Sequence, residues 1–152
     1  MIQKNYNLQV TEKQLQVIST ACELLSRIQG GQVREVFDHL PLRKDMDWGV
    51  YHEIKDELTK RMPEILKDGI DGYRSSFGVG NRELPESKDI AIDLYEVIRH
   101  KLSWERAVEK GIIESEDSPR NFTEMMTVNY DKPFMWGNEP LAKIERIPER
   151  IL

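Results

Sequence analysis

The chain has 152 residues, of which 39% are hydrophobic and 32% charged, with a formal charge of −5 at neutral pH. This length suits one domain with one core, and the acidic balance excludes a general nucleic-acid coat, which needs a net basic surface. A small anionic ligand held by a few local arginines stays open. Cys22 is the only cysteine, so neither an intrachain disulfide nor a cysteine zinc cluster is available, and a reducing cytoplasm is expected. The opening MIQKNYNLQV has no long apolar core or small-residue cleavage site, so no signal peptide is expected. No apolar run reaches membrane-spanning length.

In chain order, Tyr6, Leu8 and Val10 alternate in NYNLQV, predicting a short half-buried strand over residues 5–10. Thr11 then offers an N-cap with Gln14 in the capping-box position. Leu15, Ile18, Cys22 and Leu25, joined by Val17, Ala21, Leu24 and Ile28, form a broad apolar stripe, with Cys22 read as a small core residue. That helix ends at Gly30-Gly31. Gly30 is expected in a left-handed cap, with Gly31 letting the next helix start at once and leaving free amides beside Gln32, within Arg27's reach. Val33, Val36, Phe37 and Leu40 continue at helical spacing to Pro41. A further helix is predicted from about Trp48 to Met62, which Pro63 kinks or ends. Residues 67–86 hold four of the nine glycines and predict a long ordered loop. Ser87 is expected to cap a long helix that ends at Gly111, with Ile90, Leu94, Val97, Ile98 and Val108 as its core stripe. Beyond it, residues 125–133 and 141–147 predict short strands. The expected fold is a single, mainly helical α+β domain with two long helices, a helical corner at Gly30-Gly31, and short strands from the two chain ends. Its core would lie at about 6–111, with 112–152 less regular.

The three histidines fall in no metal-binding spacing, so no metal is expected. His52 and Asp56 stand one helical turn apart, which fits an exposed polar pair, a weak metal pair, or an acid–base pair able to turn over a ligand. No nucleophile elbow, C-x-x-C motif or Walker lysine is present. The chemistry therefore predicts a binding protein rather than an enzyme, with no cofactor. Two stretches stand out. In GYRSSFGVGN, Tyr73, Arg74, Phe77 and Asn81 are interleaved with glycines. That pattern serves a turn-rich loop, or a site in which amides and arginine hold phosphate while aromatics stack on bases. In YEVIRHKLSW, Tyr95 and Arg99 flank one side of the stripe and His100 and Trp104 the other. Lys101 falls inside the stripe and must snorkel, pair with an acid, or face a cavity or partner. Ile92 points away from the stripe, which suggests a helix buried on both sides. Arg27 lies nearly opposite Ile18, so it is either a solvated arginine near a helix C-terminus or a ligand group that needs a second wall.

Three stretches together, LLSRIQGGQ (24–32), FGVGN (77–81) and AIDLYEVIRHKL (91–102), resemble a family of small proteins widespread in tailed phages. Those proteins carry a helix ending in S-R-I-x-x-G-Q, an F-G-hydrophobic-G loop and a later D-x-Y-x-V-I-R helix, in an order and spacing that agree over about residues 6–110. The resemblance implies a sponge against CBASS-type defence, which binds the host's cyclic-nucleotide alarm signal, such as 3′3′-cyclic GMP–AMP, without cleaving it. It places Arg27, Gln32, Phe77, Asn81, Tyr95, Arg99 and His100 at or near the ligand, in the host cytoplasm. A cyclic dinucleotide is often pseudo-two-fold, so a homodimer or higher homo-oligomer is expected. The rival expectation is a phage accessory protein that binds a host or phage protein through the last helix, using Ile92 and Lys101.

Overall fold

In the computed structural model, which describes residues 5–66, 78, 80–115 and 139–147, the first helix begins where its capping signal predicts. Helix α1 spans Glu12–Gln29. The Thr11 hydroxyl accepts from the Gln14 amide at 3.3 Å, and the Gln14 side-chain oxygen accepts from the Thr11 amide at 2.8 Å. This capping box satisfies two backbone donors that the first turn would otherwise leave orphaned.

α1 lies antiparallel along the long helix α3, Glu86–Glu109. Both ends of the pair are tied. Arg106 Nη2 of α3 meets Glu12 Oε1 of α1 at 2.7 Å, and that guanidinium lowers the Glu12 carboxyl below its ordinary range. At the other end Ser87 Oγ donates to Gln29 Oε1 at 3.0 Å. Ser87 is therefore a tie to α1 and not the helix cap; Pro85 occupies the cap position, with no side-chain cap bond.

The glycine corner sits one residue later than the sequence suggested. Gly30 has φ −81°, an ordinary value, and the left-handed residue is Gly31 at φ 89°. The Gly31 amide donates to Ile28 O at 3.0 Å and the Gln32 amide to Arg27 O at 2.8 Å, the paired bonds of a Schellman turn. Both amides are thus turned back into α1 and are not free for a phosphate. A seven-residue 3₁₀ helix, Val33–His39, comes next in the chain, so the long partner that completes the hairpin with α1 is α3.

Helix α2, Trp48–Arg61, is capped by Asp47, whose Oδ1 accepts from the amides of Gly49 and Val50. It ends in a short 3₁₀ turn, Met62–Glu64, that contains Pro63. α2 packs chiefly on the two 3₁₀ segments that flank it. Lys55, 7% exposed, reaches Asp38 at 2.6 Å, and Arg34 reaches Asp56 at 2.7 Å.

The α+β expectation is overturned: no strand occurs among the described residues, and the fold is helical. Residues 5–10 and 141–147, both predicted as strands, carry no strand pairing. Tyr6 and Leu8 are 85% and 73% exposed, so the alternation that suggested a half-buried strand has no sheet to lie against. The strand predicted over 125–133 lies outside the described residues. The core stripe of α3 also differs. Val97 and Ile98 are buried as expected, while Ile90, Leu94 and Val108 are only half-buried. The buried set includes Ala91, Leu102, Trp104 and Ala107, together with Lys88, Asp89, Asp93 and Glu96. A helix that buries four charged residues cannot be read from its apolar positions alone.

A candidate ligand cleft between the first and last helices

Where the C-terminal half of α1 faces the N-terminal half of α3, a cleft of about 230 Å³ remains. One wall is Glu23, Ser26 and Arg27 of α1, continued by Gly30 and Gln32. The other is Lys88, Ile92, Tyr95, Glu96 and Arg99 of α3, with Gly78 at the edge. The spacing explains the second wall. Residues 88, 92, 95 and 99 follow at intervals of four, three and four, so one face of α3 carries all four. The second wall that Arg27 needed is supplied by the same chain.

Arg27 is held in place. Glu23 Oε1 accepts from its Nε at 3.0 Å and from its Nη2 at 2.8 Å, and its Nη1 donates to Gln32 Oε1 at 3.2 Å. Burial lowers its proton affinity, but the Glu23 hydrogen bond and the charges of Glu23 and Glu35 outweigh that, and the net shift is upward. Arg99 differs. Its Nη1 donates to the Tyr95 hydroxyl at 2.8 Å, and its guanidinium carbon lies 5.5 Å from the Tyr95 ring centroid. Burial, then the nearby charge of Glu23, pushes the Tyr95 phenol above its ordinary value. The hydroxyl stays neutral while it accepts from Arg99, so its own proton remains a donor.

Lys88, 2% exposed, is structural. Its ammonium pairs with Asp89 Oδ1 at 2.9 Å and donates to the Gly78 carbonyl, while the same Asp89 oxygen accepts from the Gly80 amide at 3.0 Å. Gly78 and Gly80 have φ of 70° and 77°, a region side chains rarely adopt. A buried ion pair thus ties Gly78 and Gly80 to the first turn of α3.

Four of the residues singled out from sequence, Arg27, Gln32, Tyr95 and Arg99, share this cleft. Asn81 does not line it; its side chain accepts from the Glu83 amide at 2.9 Å in a turn. His100 stacks on the buried Trp104, with centroids 4.3 Å apart, and also lies off the lining. Tyr73, Arg74 and Phe77 lie outside the described residues. Ile92 is half-buried in the cleft wall, and Lys101 pairs with Glu105 at 3.3 Å. Of the His52–Asp56 pair, Asp56 turns to Arg34 and His52 packs against the Tyr51 ring at 5.3 Å. Cys22 is half-buried, and burial raises its thiol. Sequence reasoning missed Glu23 and Lys88; the spacing of Lys88 to Ile92, Tyr95 and Arg99 was the available signal.

Comparison with protein-family models, with curated proteins and with solved structures finds no match to this chain. Among the described residues no helix is long and apolar enough to cross a membrane, and no group of three His, Cys, Asp or Glu is placed to hold a metal ion.

Proposed function

We propose that this chain is a phage-encoded, non-enzymatic sponge that binds a cyclic-nucleotide immune signal, such as 3′3′-cyclic GMP–AMP, in the cleft between α1 and α3. Bound ligand is withheld from its receptor in the host cytoplasm. The observation that carries this reading is Arg99, a guanidinium in the cleft wall whose Nη1 donates to a neutral phenol. A guanidinium has five donors, and it is the side chain best matched to phosphate. Arg27 stands across the cleft, and the Tyr95 ring is an aromatic surface beside both.

Size supports a shared ligand. The cleft's 230 Å³ falls below the roughly 300–1,000 Å³ of pockets that enclose a whole drug-sized ligand, and suits one phosphate-bearing half of a cyclic dinucleotide. Two charge-assisted bonds at about 1.5–3 kcal/mol each, with one stacked base at about 1–3 kcal/mol, leave a single cleft weak once association is counted. Two clefts on one pseudo-symmetric ligand double the contacts for one association cost, so a homodimer is part of the reading. Sequestration needs no turnover; tight binding and copy number suffice.

The test is isothermal titration of the purified chain with 3′3′-cyclic GMP–AMP, 3′3′-cyclic di-AMP, 3′3′-cyclic di-GMP, AMP and inorganic phosphate, followed by recovery of the ligand. A cyclic dinucleotide that binds at submicromolar concentration and is recovered intact supports the reading. Failure of all three cyclic dinucleotides at micromolar concentration overturns it, and recovery of a linear product overturns the non-enzymatic part.

A further inference from the structure

α2 leaves an apolar stripe in water. Val50, Ile54 and Leu58 follow at four-residue intervals and are 50%, 51% and 48% exposed, while Tyr51, Lys55 and Thr59 form the buried face of the same helix. Trp48 and Ile65, 62% and 78% exposed, are further exposed apolar residues near the two ends of α2, with the Trp48 ring turned toward Tyr51 and His52. A contiguous patch of this kind marks an interaction surface.

The stripe is closed by opposite charges. Asp47 and Arg61 each stand seven residues from Ile54, about 10.5 Å along the axis and within about 20° of its direction. Val50 and Leu58 each stand four residues from it. The pattern is symmetric about Ile54 in apolar residues and antisymmetric in charge. A two-fold axis through Ile54 satisfies both, setting Val50 over Leu58 of the second copy and Asp47 over its Arg61. The two charges are available. Asp47 uses Oδ1 for the Gly49 and Val50 amides, which leaves Oδ2 for a cation. Arg61 meets Glu64 only loosely, at 3.6 Å, with side chains 67% and 63% exposed. A comparable exposed stripe on α1, formed by Val17, Ala21 and Leu25, lacks this device: seven residues to either side of Ala21 stand Gln14 and Ile28.

We propose that a second copy of this chain docks on this face, the two α2 helices antiparallel about Ile54 in an isologous dimer. The surface is separate from the cleft, so this contact is distinct from a pairing of two clefts across one ligand, and its test needs no ligand.

The test is sedimentation velocity of the full chain from micromolar to submillimolar concentration, for wild type and Ile54→Asp. The wild type is expected to reach dimer mass, and Ile54→Asp to weaken the dimer by about tenfold or more with an unchanged circular dichroism spectrum. A cross-linking series fixes the register and stands even if Ile54→Asp folds poorly. In a Cys22→Ser background, Ile54→Cys should link to itself with a short bis-maleimide. Val50→Cys and Leu58→Cys should link only when mixed. A wild type that is monomeric throughout, an Ile54→Asp chain that dimerises like wild type, or Val50→Cys linking to itself overturns the proposal. So does a monomer that Ile54→Asp strongly destabilises, since the stripe is then covered by the chain's own residues.

Discussion

Lys88→Met removes a charge from a place where its partner is largely shielded from water. The lysine side chain is 2% exposed and that of Asp89 is 12%, at 2.9 Å separation. Substitution leaves the Asp89 carboxyl buried without its cation, with the Gly80 amide at 3.0 Å and the first turn of α3 as its remaining support. Breaking one partner of such a pair costs about 3–5 kcal/mol. In a chain of this length each kcal/mol lowers the melting temperature by about 2–4 °C, so the expected drop is on the order of 10 °C. Methionine keeps the stem that packs near Gly30, where a Cβ would lie 3.8 Å from the Lys88 Cδ. The loss is therefore electrostatic, not a cavity. Thermal melts by circular dichroism and urea titration at neutral pH measure it. The double variant Lys88→Met/Asp89→Leu separates the causes, because removing both charges removes the stranded carboxylate. It should recover most of the loss. A single variant within about 1 kcal/mol of wild type, or a double variant no better than the single, would refute the reasoning.

Three further outcomes are expected. Glu23→Gln should cost under about 1 kcal/mol of stability, as for other partly exposed pairs, yet tighten 3′3′-cyclic GMP–AMP binding several-fold by freeing the Arg27 fork; weaker binding in calorimetry would mean that Glu23 positions Arg27 instead. Thr11→Ala should lower urea stability by about 0.5–2 kcal/mol through loss of the capping box, while Glu12→Gln is milder because its pair with Arg106 is exposed. The hydrogen bond from Lys55 depresses the Asp38 carboxyl below its ordinary 3.8. Its stabilisation is therefore complete above that value and is lost as pH falls through the lower folded value. The melting-temperature gap between wild type and Asp38→Asn should be constant near neutral pH and close in acid below about 3.8; a gap that opens in acid would contradict this assignment.

The legible part of the sequence was local. The capping box at Thr11 and Gln14 needs only the order of residues, and the structure forms it. Proline and glycine marked the ends of α1 and α2, but the left-handed position fell on Gly31, because two adjacent glycines offer the same freedom and only the bonding pattern selects one. The strands were not legible. Alternation over residues 5–10 says which side would face a sheet, not that a sheet exists. The candidate site was half legible. Arg27, Tyr95 and Arg99 carry chemistry that draws notice. Lys88 and Glu23 sit in no motif, and only the antiparallel pairing of α1 and α3 brings them into one cleft. Periodicity predicts the helix α2, yet its apolar residues Val50, Ile54 and Leu58 are half-exposed, while Lys55 and Thr59 beside them are buried. Periodicity gives the existence of an apolar face and leaves open what covers it.

The most direct measurement is the affinity of Arg99→Gln for 3′3′-cyclic GMP–AMP, set beside Arg43→Gln as a control. Arg43 is 80% exposed, away from the cleft lining, and paired with Asp45 at 2.9 Å. If Arg99 supplies a charge-assisted bond to phosphate of about 1.5–3 kcal/mol, its loss weakens binding by roughly tenfold to a hundredfold and more, while Arg43→Gln binds as wild type does. Equal affinity for all three chains would contradict the cleft as the ligand site.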